Sequence, residues 1–140
     1  MNRLIREVKA FFESYEIMNS MFDRKGIRVE IFEANSKNVL QVKIIENPTK
    51  GHLKLRSLRN MFCDIKIEGN FVRMNFKYRE SKFSKEFIEA VKSIRKNDYV
   101  IKTLGNQVMI TIIDPRPSEI SAVFIKLEPF CRKFDDGDKI

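Results

Sequence analysis

Two seven-residue stretches constrain the fold of this chain more than anything else in it. They are Lys66-Ile-Glu-Gly69-Asn70-Phe-Val72 and Lys102-Thr-Leu-Gly105-Asn106-Gln-Val108, which lie 36 residues apart. A Gly-Asn pair between runs of alternating apolar residues is the signature of a two-residue hairpin loop, because glycine enters positive φ without steric cost. The first stretch predicts strands over Asp64–Glu68 and Phe71–Arg79, with Ile65, Ile67, Val72, Met74, Phe76 and Tyr78 on one face. The second predicts a like hairpin ending in the strand Val108–Ile113, apolar on both faces and so either covered on both sides or buried at an interface. A polar turn, Asn35-Ser36-Lys37-Asn38, lies a similar step earlier and joins Ile27–Glu33 to Val39–Glu46. A four-residue loop there sets Ile31 against Val42 and Val29 against Ile44. On the other face it sets Glu30 against Lys43, an opposite-charge pair that favours this register. A period in this range implies one supersecondary unit used repeatedly.

Helical spacing fills the intervals. Between residues 3 and 22, Leu4, Val8, Phe11, Phe12, Tyr15, Met18 and Phe22 recur at three and four residues, and Gly26 stops the segment. Leu55, Leu58 and Phe62 fit a short second helix after the Asn47-Pro48 break. A third is predicted over Lys85–Lys96, capped by Ser84, with Phe87, Ile88, Val91 and Ile94 inward. Ile120, Val123, Phe124, Leu127, Phe130 and Phe134 fit a last helix, kinked near Glu128 because Pro129 removes a backbone donor. Val123, Ile125 and Leu127 also alternate, so a strand remains an alternative there. The expected class is α+β: an N-terminal helix, then repeated β-hairpin–helix units forming a mainly antiparallel sheet packed against helices.

A chain of 140 residues, 43% apolar and with twelve Phe, holds one core, so a single domain over 1–134 is expected, followed by an acidic flexible tail at 135–140. No run of about 18 apolar residues is present and the first residues carry charges, so a cytoplasmic protein outside the membrane is expected. Cys63 and Cys131 read as reduced core thiols. His52 is the only histidine, and the five glycines are isolated, so neither a nucleophile–base pair, a metal-ligand spacing nor a phosphate loop can be assembled. Asp64, Lys66 and Glu68, with Glu46 nearby, have the residue types of a metal-dependent nuclease, but alternation on an exposed strand produces the same pattern. The expectation is a protein without catalytic residues, metal or cofactor, and not an enzyme.

What remains is charge. The 27 Lys and Arg against 19 Asp and Glu give +8 and a pI near 9.6, a balance that attracts polyanions. Lys50, Lys54, Arg56 and Arg59 have no acidic residue among them. In the second hairpin Lys66 falls opposite Arg73, a like-charge pair that an anion would relieve. Lys77 and Arg79 continue that face with Asn75 between, and Phe71 at the tip is placed to stack on a base. The run Cys63–Ile94 resembles, in its order of strand, Gly-Asn turn, strand and helix, the double-wing domain of a phage middle-promoter transcription activator. That likeness covers less than a quarter of the chain and carries no function across. The residues point to a small basic regulatory protein that binds DNA or RNA through phosphate contacts from Lys50, Lys54, Arg56, Arg59, Lys66, Phe71, Arg73, Lys77 and Arg79. The alternative is a protein-interaction module, an adaptor, inhibitor or chaperone-like homodimer joined through the doubly apolar strand 108–113.

Overall fold

The computed structural model describes residues 3–21, 26–34, 38–46, 60–80 and 83–132. It is an α+β arrangement of one six-stranded antiparallel sheet and three α-helices. Helix α1 (Arg3–Met21) precedes β1 (Ile27–Ala34), β2 (Val39–Glu46), β3 (Asn60–Glu68) and β4 (Phe71–Lys77). Helix α2 (Lys85–Ile94), β5 (Tyr99–Leu104), β6 (Gln107–Ile113) and α3 (Pro117–Leu127) follow. The strand order is β1-β2-β3-β4-β6-β5, which leaves β1 and β5 at the edges.

The first hairpin has the expected register, with Val29 opposite Ile44, Glu30 opposite Lys43 and Ile31 opposite Val42. The Gly-Asn loops also close as two-residue turns, Glu68 facing Phe71 and Leu104 facing Gln107. Gly69 and Gly105 carry φ of 59° and 60° with open space where a side chain would start, so it is backbone conformation and not room that selects glycine. The two hairpins then meet through β4 and β6, where Met74 lies opposite Ile110. Their outer ends are joined alike: the Asp114 N–H donates to the Asn70 carbonyl and the Tyr78 N–H to the Asn106 carbonyl, each at 2.6 Å.

Alternation sorts the sheet into two faces. Leu40, Val42, Ile44, Ile65, Ile67, Val72, Met74, Phe76, Val108, Ile110 and Ile112 are buried, and the helices pack over them. Burial of this apolar surface is the main term that holds the fold, roughly 1.5–3 kcal/mol for each large side chain. Phe124 of α3 is the centre of an edge-to-face aromatic group, 4.9 Å from both Phe12 and Tyr15 of α1. Tyr78, Phe83, Phe87 and Phe130 form a second group under α2.

Several expectations are corrected. Asn60, Met61 and Phe62 belong to β3, so Phe62 does not lie on a helix. Strand pairing with β2 extends β3 past a bulge in which Phe62 is the extra residue, between the pairs Ile44–Cys63 and Ile45–Met61. The rest of the expected second helix, with Lys50, Lys54, Arg56, Arg59 and His52, lies outside the described residues, as do Phe22, Phe134 and the acidic tail. In α1 the inward position is taken by Asn19, whose Nδ2 donates to the Tyr15 carbonyl at 2.8 Å, while Met18 is exposed. Ile88 also faces out. Ser84 caps α2 as expected, accepting from the Phe87 N–H at 3.1 Å. The last helix ends at Leu127, and a single 3₁₀ turn over Glu128–Phe130 absorbs Pro129. The strand over Val108–Ile113 is not covered on both faces. Ile113 is 58% exposed, and both backbone edges of the strand are paired, to β4 and β5. A second chain cannot add to it by strand pairing. Cys63 and Cys131 are buried free thiols.

Candidate nucleic-acid interface

The side chains that alternate with the core positions form the other face of the sheet. Adjacent strands lie about 4.8 Å apart, so six of them make a surface roughly 24 Å across. Pairing arranges it in rows. Phe32, Gln41, Lys66, Arg73, Thr111 and Val100 stand side by side from edge to edge. The next row is Glu30, Lys43, Asp64, Asn75, Met109 and Lys102. Phe32 is 63% exposed at one margin, and Leu104 is 84% exposed at the other.

Of the expected contact residues, Lys66, Phe71, Arg73 and Lys77 share this face. The register sets Lys66 opposite Arg73, as the hairpin reading required. Lys66 leans on Glu68 at 3.5 Å, both side chains nearly half exposed, a pair of little energetic consequence in water. Among the described residues Arg73 and Lys77 have no carboxylate partner, and neither do Lys43 and Lys102. Phe71 is half-buried between Glu68 and Ile113. Arg79 does not join the face. Its N–H donates to the Phe130 carbonyl at 3.1 Å and its guanidinium to the Arg132 carbonyl at 3.4 Å, which ties the end of β4 to the C-terminal turn.

The sequence reading missed Lys43, Lys102, Phe32 and Gln107. Each lies on the open face by simple alternation, and the observed strand order brings Lys43 and Gln107 beside the second hairpin while Phe32 and Lys102 stand on the edge strands. Two hollows indent the surface. One, of about 430 Å³, is lined by Glu30, Phe32, Gln41 and Lys43. The other, of about 180 Å³, lies beside the β3 bulge and is lined by Met61, Asp64, Asn75, Lys77 and Gln107.

A second polar cluster is buried where β2 ends. Arg132 lies between Glu46 at 3.7 Å and Glu128 at 3.8 Å, and the Tyr15 hydroxyl donates to Glu128 at 2.7 Å. Burial, reinforced by the Glu128 carboxylate, pushes the Tyr15 phenol far above its ordinary value, which fixes it as a hydrogen-bond donor. The Cys63 and Cys131 thiols are likewise pushed up, chiefly by burial, and are held out of the reactive thiolate form. The acidic residues of the nuclease-like pattern are split between these places: Glu46 is in the buried cluster, Asp64 and Glu68 on the open face. Among the described residues no three His, Cys, Asp or Glu stand together as a metal site. No described helix is long and apolar enough to cross a membrane.

No family model, curated protein or solved structure matches the chain.

Proposed function

We propose that this is a small, non-enzymatic regulatory protein that binds nucleic acid on the open face of its sheet. The observation that carries the reading is the central row of that face. Lys66 and Arg73 stand directly opposite one another within the second hairpin, with Lys77 along the same strand and Lys43 and Lys102 elsewhere on the face, alongside the carboxylates Glu30, Asp64 and Glu68. Phosphates compensate such a cluster, and Phe71 and Phe32 provide aromatic surface beside it. We further propose that β3–β4–α2 and β5–β6–α3 are copies of one hairpin–helix unit. Shifted by 36 residues, the registers of the two hairpins coincide, and Met74 meets its own counterpart, Ile110, at their junction.

The test is binding to labelled nucleic acid over a range of salt. Arg73→Glu and Lys77→Glu lower affinity, and each loss of a phosphate contact flattens the dependence of log K on log salt by about 0.7–0.9. Arg56→Glu and Arg59→Glu act in the same direction if the basic stretch contributes. A wild-type protein with no salt-sensitive binding to DNA or RNA removes the proposal.

One observation favours the alternative. At β5 and the end of β6 the open face is apolar, with Val100, Leu104, Met109 and Ile113 exposed or half-exposed. A patch of this kind is what a protein-interaction module presents, a homodimer included. Loss of self-association or partner capture on Leu104→Ser and Ile113→Ser, with nucleic-acid binding absent throughout, selects that reading.

A further inference from the structure

We infer that the hollow beside the β3 bulge receives one unpaired base bearing an exocyclic amine, and that the open face therefore takes single-stranded rather than duplex nucleic acid. This rests on the reading of the open face as a nucleic-acid surface and specifies its ligand.

The hollow exists because of the bulge. Phe62 and Cys63 are consecutive and both buried, so alternation is broken there, and Met61 faces out beside Asp64, Asn75, Lys77 and Gln107. Its floor has apolar and polar parts. Met61 offers thioether surface, which packs well on flat aromatic rings. Asp64 and Asn75 lie directly opposite one another, and Lys77 opposite Gln107. Gln41 Nε2 donates to one Asp64 oxygen at 3.1 Å, which orients the carboxylate and leaves its second oxygen to accept from a ligand. Among the described residues the Asn75 and Gln107 amides have no hydrogen-bond partner. A carboxylate accepts from the amine of cytosine, and an amide pairs with the adjacent amine and ring nitrogen of adenine. Uracil and thymine carry a carbonyl at the matching position and would face the Asp64 oxygen with another acceptor.

Charge complementarity supplies the rest. Lys77 lines the hollow and Arg73 stands four residues from Lys77 on the same strand face, placed to hold the phosphates that flank an inserted base. A broad sheet face can receive bases only when they are splayed from a single strand, since those of a duplex are stacked and paired.

The experiment is fluorescence anisotropy with the full chain and short labelled single strands of cytidine, adenosine or uridine, and a duplex of matched length. The expected result is that single strands bind more tightly than duplex, and the cytidine or adenosine strand about fivefold or more above uridine. Asp64→Asn and Asn75→Ala, checked for folding by circular dichroism, abolish that preference. They leave the salt dependence unchanged, because neither residue meets a phosphate, whereas Arg73→Glu flattens the salt dependence and leaves the preference. Duplex bound as tightly as single strand, or equal affinity for the three homopolymers, overturns the inference while the nucleic-acid surface stands. Absence of salt-sensitive binding to every probe overturns both.

Discussion

Replacing Arg132 by Met perturbs the fold where it is most exposed to electrostatic failure. Arg132 is 5% accessible and is the only cation within reach of Glu46 and Glu128 among the described residues. Glu46 is 1% accessible, and Glu128 is tied to the Tyr15 hydroxyl. Methionine keeps most of the volume and removes the charge, so packing changes little and the Glu128 carboxylate loses its cation in a poorly solvated place. Breaking a buried pair from one side costs about 3–5 kcal/mol, most of it the penalty on the charge left behind. For a chain of this length that is a fall in Tm on the order of 10–15 °C. The cluster joins α1, the end of β2 and the C-terminal turn, so the loss is felt by the whole cooperative unit. Urea unfolding followed by far-UV circular dichroism reads it directly. Adding Glu128→Gln to Arg132→Met recovers part of the loss, because the stranded charge is gone, and the double-mutant cycle shows coupling above about 0.5 kcal/mol. If Arg132→Met unfolds within about 1 kcal/mol of the wild type, these charges are solvated and the cluster holds nothing together.

Other outcomes follow from the same contacts. Phe124→Ala removes the ring that α1 and the sheet share and costs about 3–5 kcal/mol in urea unfolding. Cys63 and Cys131 react with a thiol reagent only at the rate of global unfolding, since both are buried and their thiols held protonated; rapid labelling of the native protein would show the core open there. Burial favours the neutral form of Glu119, but the Arg116 N–H, the Tyr99 hydroxyl and Lys96 outweigh it and hold its pKa below the usual carboxylate value. Its stabilising contribution is therefore present above that usual value and is lost as pH falls through the depressed folded one. Glu119→Gln lowers stability near neutral pH and narrows the gap to wild type on acidification, which paired urea titrations test. Gly69→Ala and Gly105→Ala each lower stability by about 1 kcal/mol through positive φ alone, with no change in core packing.

Short-range chemistry was legible in the sequence and long-range chemistry was not. The Gly-Asn loops, the Ser84 cap and the Glu30–Lys43 register are set within a few residues, and all appear as read. Pairing of β4 with β6 depends on how two hairpins dock, which no local pattern records. Without it, Gln107 cannot be seen to adjoin Lys77, nor Lys102 to share their face one strand further on. Helix periodicity left the facing angle of α1 open, because Met18 and Asn19 are neighbours and hydrophobicity favoured the wrong one. The Tyr15 carbonyl accepts from Asn19 Nδ2, while among the described residues the buried Asn19 Oδ1 has no partner. The apolar run 108–113 suggested a strand covered on both sides or buried at an interface; the first does not hold, since Ile113 and Met109 belong to an open face whose other half is charged.

That division of the open face follows from comparing the two hairpins position by position. At the proposed 36-residue shift the inward residues keep their character: Val72 corresponds to Val108, Met74 to Ile110 and Phe76 to Ile112, all buried. Among the outward residues Lys66 and Lys102 agree, but four other pairs do not. Asp64 corresponds to Val100, Glu68 to Leu104, Arg73 to Met109 and Lys77 to Ile113. Packing against the helices constrains the first set equally in both units, so its agreement says only that both serve one core. Nothing in the fold requires the second set to differ, since both hairpins present the same backbone to solvent. On the proposed function, the difference reflects what each surface meets. Most of the charge and most of the hollow's lining gather on β3 and β4, while β5 and β6 add Lys102 and Gln107 beside the exposed apolar Val100, Leu104 and Ile113. A polyanion is drawn to the first half and repelled by nothing in the second, whose exposed side chains are free to lie against bases or against another protein. Exchanging Arg73 with Met109 and Lys77 with Ile113 keeps composition, net charge and core intact. If the two halves are specialised as proposed, binding moves or is lost with the charges while stability holds; if binding follows net charge alone, the exchanged protein binds as before.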